Sequence, residues 1–328
     1  MPPALPSELP PVRVERNIVF AHRPTGDLLL DLFLPASHEG PVPVVLWVHG
    51  GGWFTGDRTL SPDLAERVRA TGMAMASIEY RLSGEALFPA QLHDVRAAIR
   101  FLRTSASRFG LDPRAICVWG ASAGGHLAAL AGLTGHLEAL PDEPEASGNV
   151  AVQAVVASYA PVDLAEVVAE AVAARPGTDG RDAPESRLIG GLPSELADMA
   201  RQASPLHRVG PGAPPFQLSH GTGDVLVSHR QGERLHEALT AAGGSSELYL
   251  IDGYKHGFLN PAGRLDVELA GVMDDGRLAA EEPVRAVRHT SDHLAEHPAG
   301  QDVTFGFPEI DHFFHRCFSF HPPLGDPR

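Results

Sequence analysis

Cysteine is nearly absent from this chain: its 328 residues include two, Cys117 and Cys317. Two thiols cannot build a disulfide framework. Cys117 lies in an apolar run, where a cysteine behaves as a small buried hydrophobe, so a reducing, cytoplasmic setting is expected. Positive charge is also short. With 26 Lys and Arg against 41 Asp and Glu, the formal net charge is −15, which argues against the basic face that nucleic acid or an anionic membrane surface requires of a partner. No apolar run approaches membrane-spanning length, and the opening MPPALPSELPPVRVE lacks a basic start followed by an apolar core, so neither a membrane span nor a secretory leader is expected. No internal repeat or low-complexity linker divides the chain, and residues 1–328 read as one large α/β domain.

Glycine, by contrast, is plentiful. The stretch Trp119-Gly120-Ala121-Ser122-Ala123-Gly124-Gly125-His126 sets one serine among small residues. Ala115 to Trp119 before it has strand character, and Leu127 to Leu133 after it is rich in Ala and Leu, as a buried helix would be. In that context GxSxG reads as a nucleophile elbow, a turn so tight that the serine backbone is strained and Gly120 and Gly124 have no room for side chains. Ser122 then stands at a helix N-terminus, where free N–H groups and the helix dipole favour the negative charge of acyl transfer. With 34 glycines in the chain, a small-residue helix start with an idle serine also fits the pentapeptide, and context must decide.

That context is an alternation of strands and helices. A loose proline-rich arm, 1–11, precedes two β-prone runs, Val12 to Phe20 and Asp27 to Leu34, which suggest an antiparallel hairpin at a sheet edge. Val42 to Val48 is a nearly unbroken apolar run, expected of a central strand covered on both faces. A helix from Pro62 to Thr71, capped by Ser61, leads to a strand at Ala74 to Glu79. Pro89 to Phe109 has a long helical pattern, Val150 to Tyr159 reads as a core strand, and residues 164–205 interrupt the alternation as a cap over the site would. Pro215 to Ser219, Ser228 to Ala242 and Glu247 to Ile251 complete the rhythm as strand, helix and last clear strand. Beyond Phe258, Leu265 to Met273 and Arg277 to His293 have helical character with little apolar content, and Phe307 to Phe320 reads as a final helix docking on the sheet.

A serine becomes a nucleophile only when a base takes its proton, the base is held in one tautomer, and prepositioned donors meet the oxyanion. Each part is present at a strand end, where ligand crevices of open α/β sheets lie. His49-Gly50-Gly51-Gly52-Trp53 follows Val48, Asp224 follows the run ending at Ser219, and His256 follows Ile251. Ser122, Asp224 and His256 occur in the order that the α/β-hydrolase arrangement requires. Asp252 is a rival acid for His256, although a loop aspartate near a turn is commonly a turn residue.

HGGGW at His49 to Trp53, GASAGGH at Gly120 to His126, HGTGD at His220 to Asp224 and HGF at His256 to Phe258 together resemble α/β-hydrolase esterases of the hormone-sensitive-lipase kind. The likeness is greatest to the branch grouped with bacterial acetyl and feruloyl esterases, and Tyr80-Arg81-Leu82, Phe88-Pro89-Ala90 and Asp94 share in it, so the match runs from Pro41 to Phe258. The resemblance implies a mostly parallel eight-stranded sheet flanked by helices, to which the pattern of this chain adds a possible cap insertion at 164–205 and a long insertion at 259–307. It further implies a serine carboxylesterase without metal or organic cofactor, acting through an acyl-enzyme on small to medium acyl esters. Carried over residue by residue, Ser122 is the nucleophile, His256 the general base and then acid, Asp224 its orienting carboxylate, and Gly51, Gly52 and Ala123 the backbone donors of the oxyanion hole.

Other residues divide between chemistry and architecture. His49 and His220 read as organisers of their glycine turns, and Asp94 and Asp163 as loop-binding carboxylates. Trp53 and Tyr254 are candidates for the substrate pocket, although aromatics beside a sheet are more often core. His289, His293 and His297 recur at helical spacing and could face a metal, but a solvated polar helix face explains them better and no metal is expected. Tyr254-Lys255 departs from the small residues usual before such a histidine, and the segment from Phe258 to Phe307 is long for the likeness. That segment could cover the site, mediate a homo-oligomer or be mobile. Two further functions stay open: a lactone or formamide hydrolase using the same triad, and a ligand-binding homologue of a hydrolase, which the presence of all three triad residues disfavours.

Overall fold

The computed structural model describes residues 10–144, 147–174, 177–263, 271–291 and 300–319. Strands β1 (Val12–Arg23) and β2 (Gly26–Pro35) form the expected hairpin at a sheet edge. Then come β3 (Val42–Val48), helix α1 (Leu64–Thr71), β4 (Ala74–Ile78), α2 (Ala90–Thr104), α3 (Ala106–Phe109), β5 (Leu111–Ala121), α4 (Ala123–Leu133) and β6 (Val155–Ser158). Segment 164–205 holds α5 (Leu164–Ala174), α6 (Pro184–Ile189) and α7 (Ala197–Ala203) before β7 (Phe216–Gly221), α8 (Arg230–Ala241) and β8 (Ser246–Ile251) resume the alternation. The chain closes with α9 (Arg277–Glu281), β9 (Val284–Thr290), β10 (Gln301–Phe305) and α10 (Phe307–Ser319).

All ten strands join one sheet in the order β1-β2-β4-β3-β5-β6-β7-β8-β9-β10. The six central strands, β4 to β8 in that order, run parallel, and antiparallel strands flank them on both sides. This is an α/β-hydrolase architecture. The expected count of eight strands falls short by two, because β9 and β10 of the late insertion extend the sheet beyond β8. Arg277 to His293 was expected to be helical, yet only α9 is; Pro283 stops it, and β9 follows. Its VRAVRHT run has one fully buried position, Ala286, so pairing with β8 rather than a hydrophobic period makes it a strand. Residues 265–270 of the other expected late helix, Leu265 to Met273, lie outside the described residues.

Parallel strands joined by crossovers are covered on both faces, which explains the unbroken apolar runs. Val44, Leu46 and Val48 of β3, with Ile116 and Val118 of β5, pack towards Leu92, Val95 and Ile99 of α2 and Leu127 and Leu130 of α4. Alternate residues Val45, Trp47, Cys117 and Trp119 face Leu64 and Val68 of α1 and the apolar stripe of α10. The final helix docks as expected: Phe307, Ile310, Phe314 and Cys317 recur at helical spacing, and the rings of Phe307 and Phe314 each lie 6.3 Å from that of Trp119. Both cysteines are buried free thiols. Helix α1 starts later than expected, because Asp63 rather than Ser61 caps it, accepting from the Glu66 N–H at 2.9 Å. The long pattern at 89–109 is two helices, broken at Ser105.

Asp94 of α2 is fully buried and gathers two cations. It accepts from Arg23 Nε at 2.7 Å and from Arg81 Nε at 2.8 Å, tying the β1 hairpin and the loop after β4 to α2. An isolated guanidinium in this interior has no water to turn to. Asp94→Ala is therefore expected to lower unfolding free energy by about 3–5 kcal/mol, read from urea titration; a loss below about 1 kcal/mol, the range of exposed pairs, would show that water reaches the cluster.

Candidate active site

The site begins where β5 hands over to α4. Ser122 has φ +56° and ψ −124°, outside the regions open to most side chains. Its N–H donates to the Ser158 carbonyl at 2.9 Å, fixing the turn to β6. A side-chain carbon at Gly120 would lie 2.2 Å from the Gly124 oxygen, and one at Gly124 would lie 2.0 Å from the Val48 oxygen. Only glycine permits that approach, and it brings the first turn of α4 down onto the ends of β3 and β5.

The loops after β7 and β8 bring two more side chains to the serine. His256 Nε2 lies 2.8 Å from Ser122 Oγ, and its Nδ1 lies 2.6 Å from Asp224 Oδ2. An ionised carboxylate accepts only, so Nδ1–H donates to Asp224 and Nε2 is left to accept from the serine hydroxyl. Asp224 is itself fixed: its Oδ1 accepts the N–H groups of Leu226 and Val227, both at 2.9 Å. Burial works against its charge, yet His256, together with hydrogen bonds from His220 and His256, holds its carboxyl below the ordinary carboxylate range. Asp252 takes no part, being exposed with its N–H paired to the Arg285 oxygen.

Opposite the elbow, Gly51, Gly52 and Trp53 all have positive φ, and the Gly51 carbonyl closes the turn by accepting from Phe54 and Thr55. Among the described residues, no acceptor takes the N–H groups of Gly51, Gly52 or Ala123, which begins α4. His49 organises this loop as the sequence suggests. Its Nδ1–H donates to the Gly50 oxygen at 2.7 Å, its ring stacks on Tyr80, and the Tyr80 hydroxyl donates to the His49 oxygen. Burial lowers the His49 pKa to about 4, so the ring is neutral near pH 7. His220 likewise braces its turn, donating from Nε2 to the Val227 oxygen at 2.9 Å.

The two aromatic candidates sit differently. Trp53 is buried with its ring edge-on to His126 at 4.9 Å. Tyr254 is buried in the core beside Phe258, donates its hydroxyl to Glu281 at 2.9 Å and lies under the Arg277 guanidinium at 4.0 Å. It thus anchors the late insertion. Asp163 accepts from the Glu166 N–H at the start of α5, and Asp94 serves the cluster described above. His289 lies in β9, so helical spacing does not apply to it, and His293 and His297 lie outside the described residues. Among the described residues, no three His, Cys, Asp or Glu side chains group to hold a metal ion, and no helix is long and apolar enough to cross a membrane.

Sequence reasoning passed over two neighbours. Tyr159, at φ +39°, sets its ring edge-on to His256 at 4.8 Å, and its position at the end of β6 was the available signal. His126, the last residue of the elbow motif, donates from Nε2 to the Ala203 oxygen at 2.6 Å and so ties α4 to α7.

Residues 30–239 match the model of the family described as BD-FAE. The chain belongs to this family. Among curated relatives of this BD-FAE member, "Esterase LipC" of Mycobacterium tuberculosis is 33% identical over 229 residues, covering 66% of this chain and 53% of that protein. The chain spans about half the length of the curated relatives it matches. Among solved structures, a "Truncated form of carbohydrate esterase from gut microbiota" aligns at 29% identity and TM-score 0.66, covering 76% of this chain and 90% of that one. "Thermogutta terrifontis esterase 2 phosphonylated by sarin" aligns at 28% identity and TM-score 0.62, covering 82% and 92%.

The depressed carboxyl of Asp224 carries a stability consequence. A folded pKa below the unfolded one stabilises the protein fully above the unfolded value, and that stability is lost as pH falls. Asp224→Asn is expected to flatten the acid limb of a urea-midpoint curve below ~pH 4, the unfolded aspartate value; an acid limb as steep as that of the parent would contradict the Asp224 geometry.

Proposed function

We propose that the chain is a serine carboxylic ester hydrolase acting through an acyl-enzyme on small to medium acyl esters. The observation that carries this reading is the continuous relay from Ser122 Oγ through His256 to Asp224, at 2.8 and 2.6 Å, beside free backbone donors. His256 Nε2 takes the serine proton as Oγ attacks the ester carbonyl, and Asp224 stabilises the resulting imidazolium. The N–H groups of Gly51, Gly52 and Ala123 receive the oxyanion. Collapse of the tetrahedral intermediate expels the alcohol, which takes the proton from His256. Water then attacks the acyl-serine by the same route and releases the acid.

The names of the relatives support the same chemistry, and the HGGGW and GASAGGH motifs support placement near the hormone-sensitive-lipase-like, bacterial acetyl and feruloyl esterase branch. Two unbridged thiols fit a cytoplasmic setting. The intact relay disfavours a binding-only homologue, and nothing in the geometry favours a lactone or formamide over an ester.

Hydrolysis of p-nitrophenyl acetate, butyrate and octanoate tests the reading. Ser122→Ala is expected to lower kcat by at least about 10³-fold, and a fluorophosphonate is expected to label Ser122 alone; full activity in Ser122→Ala would overturn the proposal. Asp224→Asn is expected to lower kcat by about 10⁴-fold, whereas Asp252→Asn leaves it unchanged; the reverse pattern would move the orienting role to Asp252. At Gly51, with φ +107°, a side-chain carbon would lie 2.2 Å from the Thr55 oxygen. Gly51→Ala is therefore expected to displace an oxyanion donor and lower kcat by about 10²–10³-fold while KM changes little; wild-type kcat would remove the loop from the oxyanion hole.

A further inference from the structure

Helix α6 lies over the site. Pro184 Cβ stands 3.3 Å from where a side-chain carbon on Gly52 would be. The Arg187 guanidinium lies 5.4 Å from the Phe54 ring centre, and the Leu188 oxygen accepts from Phe88 N–H at 2.9 Å. The helix is thereby fastened to the oxyanion loop and to the segment before α2. Between Pro184 and Ser186 it presents Glu185, only 6% exposed. Among the described residues, no other residue gives this carboxyl a hydrogen bond or an ion pair; its one internal donor is its own backbone N–H.

An unpaired carboxyl buried to this degree carries a substantial desolvation cost, and burial accordingly pushes its pKa up to about 7, against the opposing pull of its own N–H and of His256. The glycine loop relates the group to the serine. Glu185 follows Pro184, which stands against Gly52, and at the other end of that loop a side-chain carbon on Gly50 would lie 3.2 Å from Ser122 Cβ. The pull of His256 on the Glu185 carboxyl agrees with a place on that side of the loop.

We infer that Glu185 is a specificity-determining residue of the ester crevice, receiving a hydrogen-bond-donating group, hydroxyl or ammonium, that the substrate carries close to the scissile ester. The inference rests on the triad reading above. A carboxyl accepts such a donor whether ionised or neutral, through either oxygen. An ammonium additionally favours the ionised form. A purely aliphatic ester leaves the carboxyl without a partner, and a site built to hydrogen-bond a donor rejects the analogue that lacks it.

The test compares kcat/KM within two matched series, each corrected for spontaneous hydrolysis. One varies the acyl part: p-nitrophenyl butyrate, 3-hydroxybutyrate and 3-aminobutyrate. The other varies the alcohol: butyl, 3-hydroxybutyl and 3-aminobutyl acetate, followed by proton release. The wild-type protein is expected to favour a donor-bearing ester over its aliphatic partner by at least about ten-fold in one series, the worth of one charge-assisted hydrogen bond. Glu185→Leu is expected to bring that ratio close to one, whatever the absolute rates. Glu185→Gln separates the two donors: it keeps a hydroxyl preference and loses an ammonium preference. Asp182→Asn, at a fully exposed side chain before α6, leaves the ratio unaltered. No preference in either series, or a preference that survives both Glu185 variants, overturns the inference. Hydrolysis of p-nitrophenyl butyrate that persists in Ser122→Ala instead overturns the triad reading, so the two failures are distinct.

Discussion

The close approach of the first turn of α4 to the ends of β3 and β5 governs how everything else in the site is placed. Gly124 brings its backbone so near the Val48 carbonyl that even a methyl group has no space, and Gly120 faces Gly124 under the same limit. Contact this tight forces Ser122 to a positive φ, which costs about 1–3 kcal/mol. The offset lies in α4 itself. All eleven of its residues are buried, and Leu127 and Leu130 are enclosed on every side, each contributing about 1.5–3 kcal/mol. A helix buried all round cannot tilt away from the sheet to relax its first turn, so the strain stays at the serine.

Charge is distributed around the site with the same economy. Three histidines near the glycine loops, His49, His126 and His220, each direct a ring N–H to a backbone carbonyl. Burial drives the pKa of His49 and of His126 to about 4, so these two rings act as neutral struts. His256, unlike these three, is set between a carboxylate and a hydroxyl. Two carboxyls that act on the His256 ring are pushed apart by their surroundings. Asp224 has four donors around its carboxyl, the N–H groups of Leu226 and Val227 and the rings of His256 and His220, and stays ionised, whereas Glu185 has none beyond its own backbone and is pushed the other way. Environments that separate two carboxyls in this manner assign them different work.

Much of this was legible in the sequence because the informative residues sit at strand ends. Apolar runs such as Val42 to Val48 mark buried parallel strands without ambiguity, and motifs placed directly after them must converge on one edge of the sheet. Ser122, Asp224 and His256 share neither a helix nor a local period, yet their positions after β5, β7 and β8 bring them within hydrogen-bonding distance. Legibility fails where structure is decided by partners instead of by pattern. β9 has a single fully buried residue and becomes a strand by pairing with β8. Glu185 looks, in sequence, like a solvated charge after a proline, and nothing local signals that α6 closes over the glycine loop. Tyr254 suggested a pocket because an aromatic next to a catalytic-looking histidine invites that reading; its hydroxyl instead finds Glu281, a residue 27 positions on.

That last contact explains why a long segment follows the histidine. His256 sits on a loop beyond β8, and loops at sheet ends are the least constrained part of such a fold. Here the loop is held from the far side. The Asp274 N–H donates to the His256 carbonyl at 2.8 Å, Lys255 N–H donates to the Asp274 carboxylate at 2.7 Å, and Gly276 N–H donates to the Asn260 carbonyl at 2.7 Å. Arg277 covers the Tyr254 ring while pairing with Asp274 and Glu281. Three residues after Glu281 the same chain becomes β9 and pairs along β8. The strand that precedes His256 and the strand that follows the gripping segment are therefore neighbours in one sheet, which holds both ends of the His256 loop.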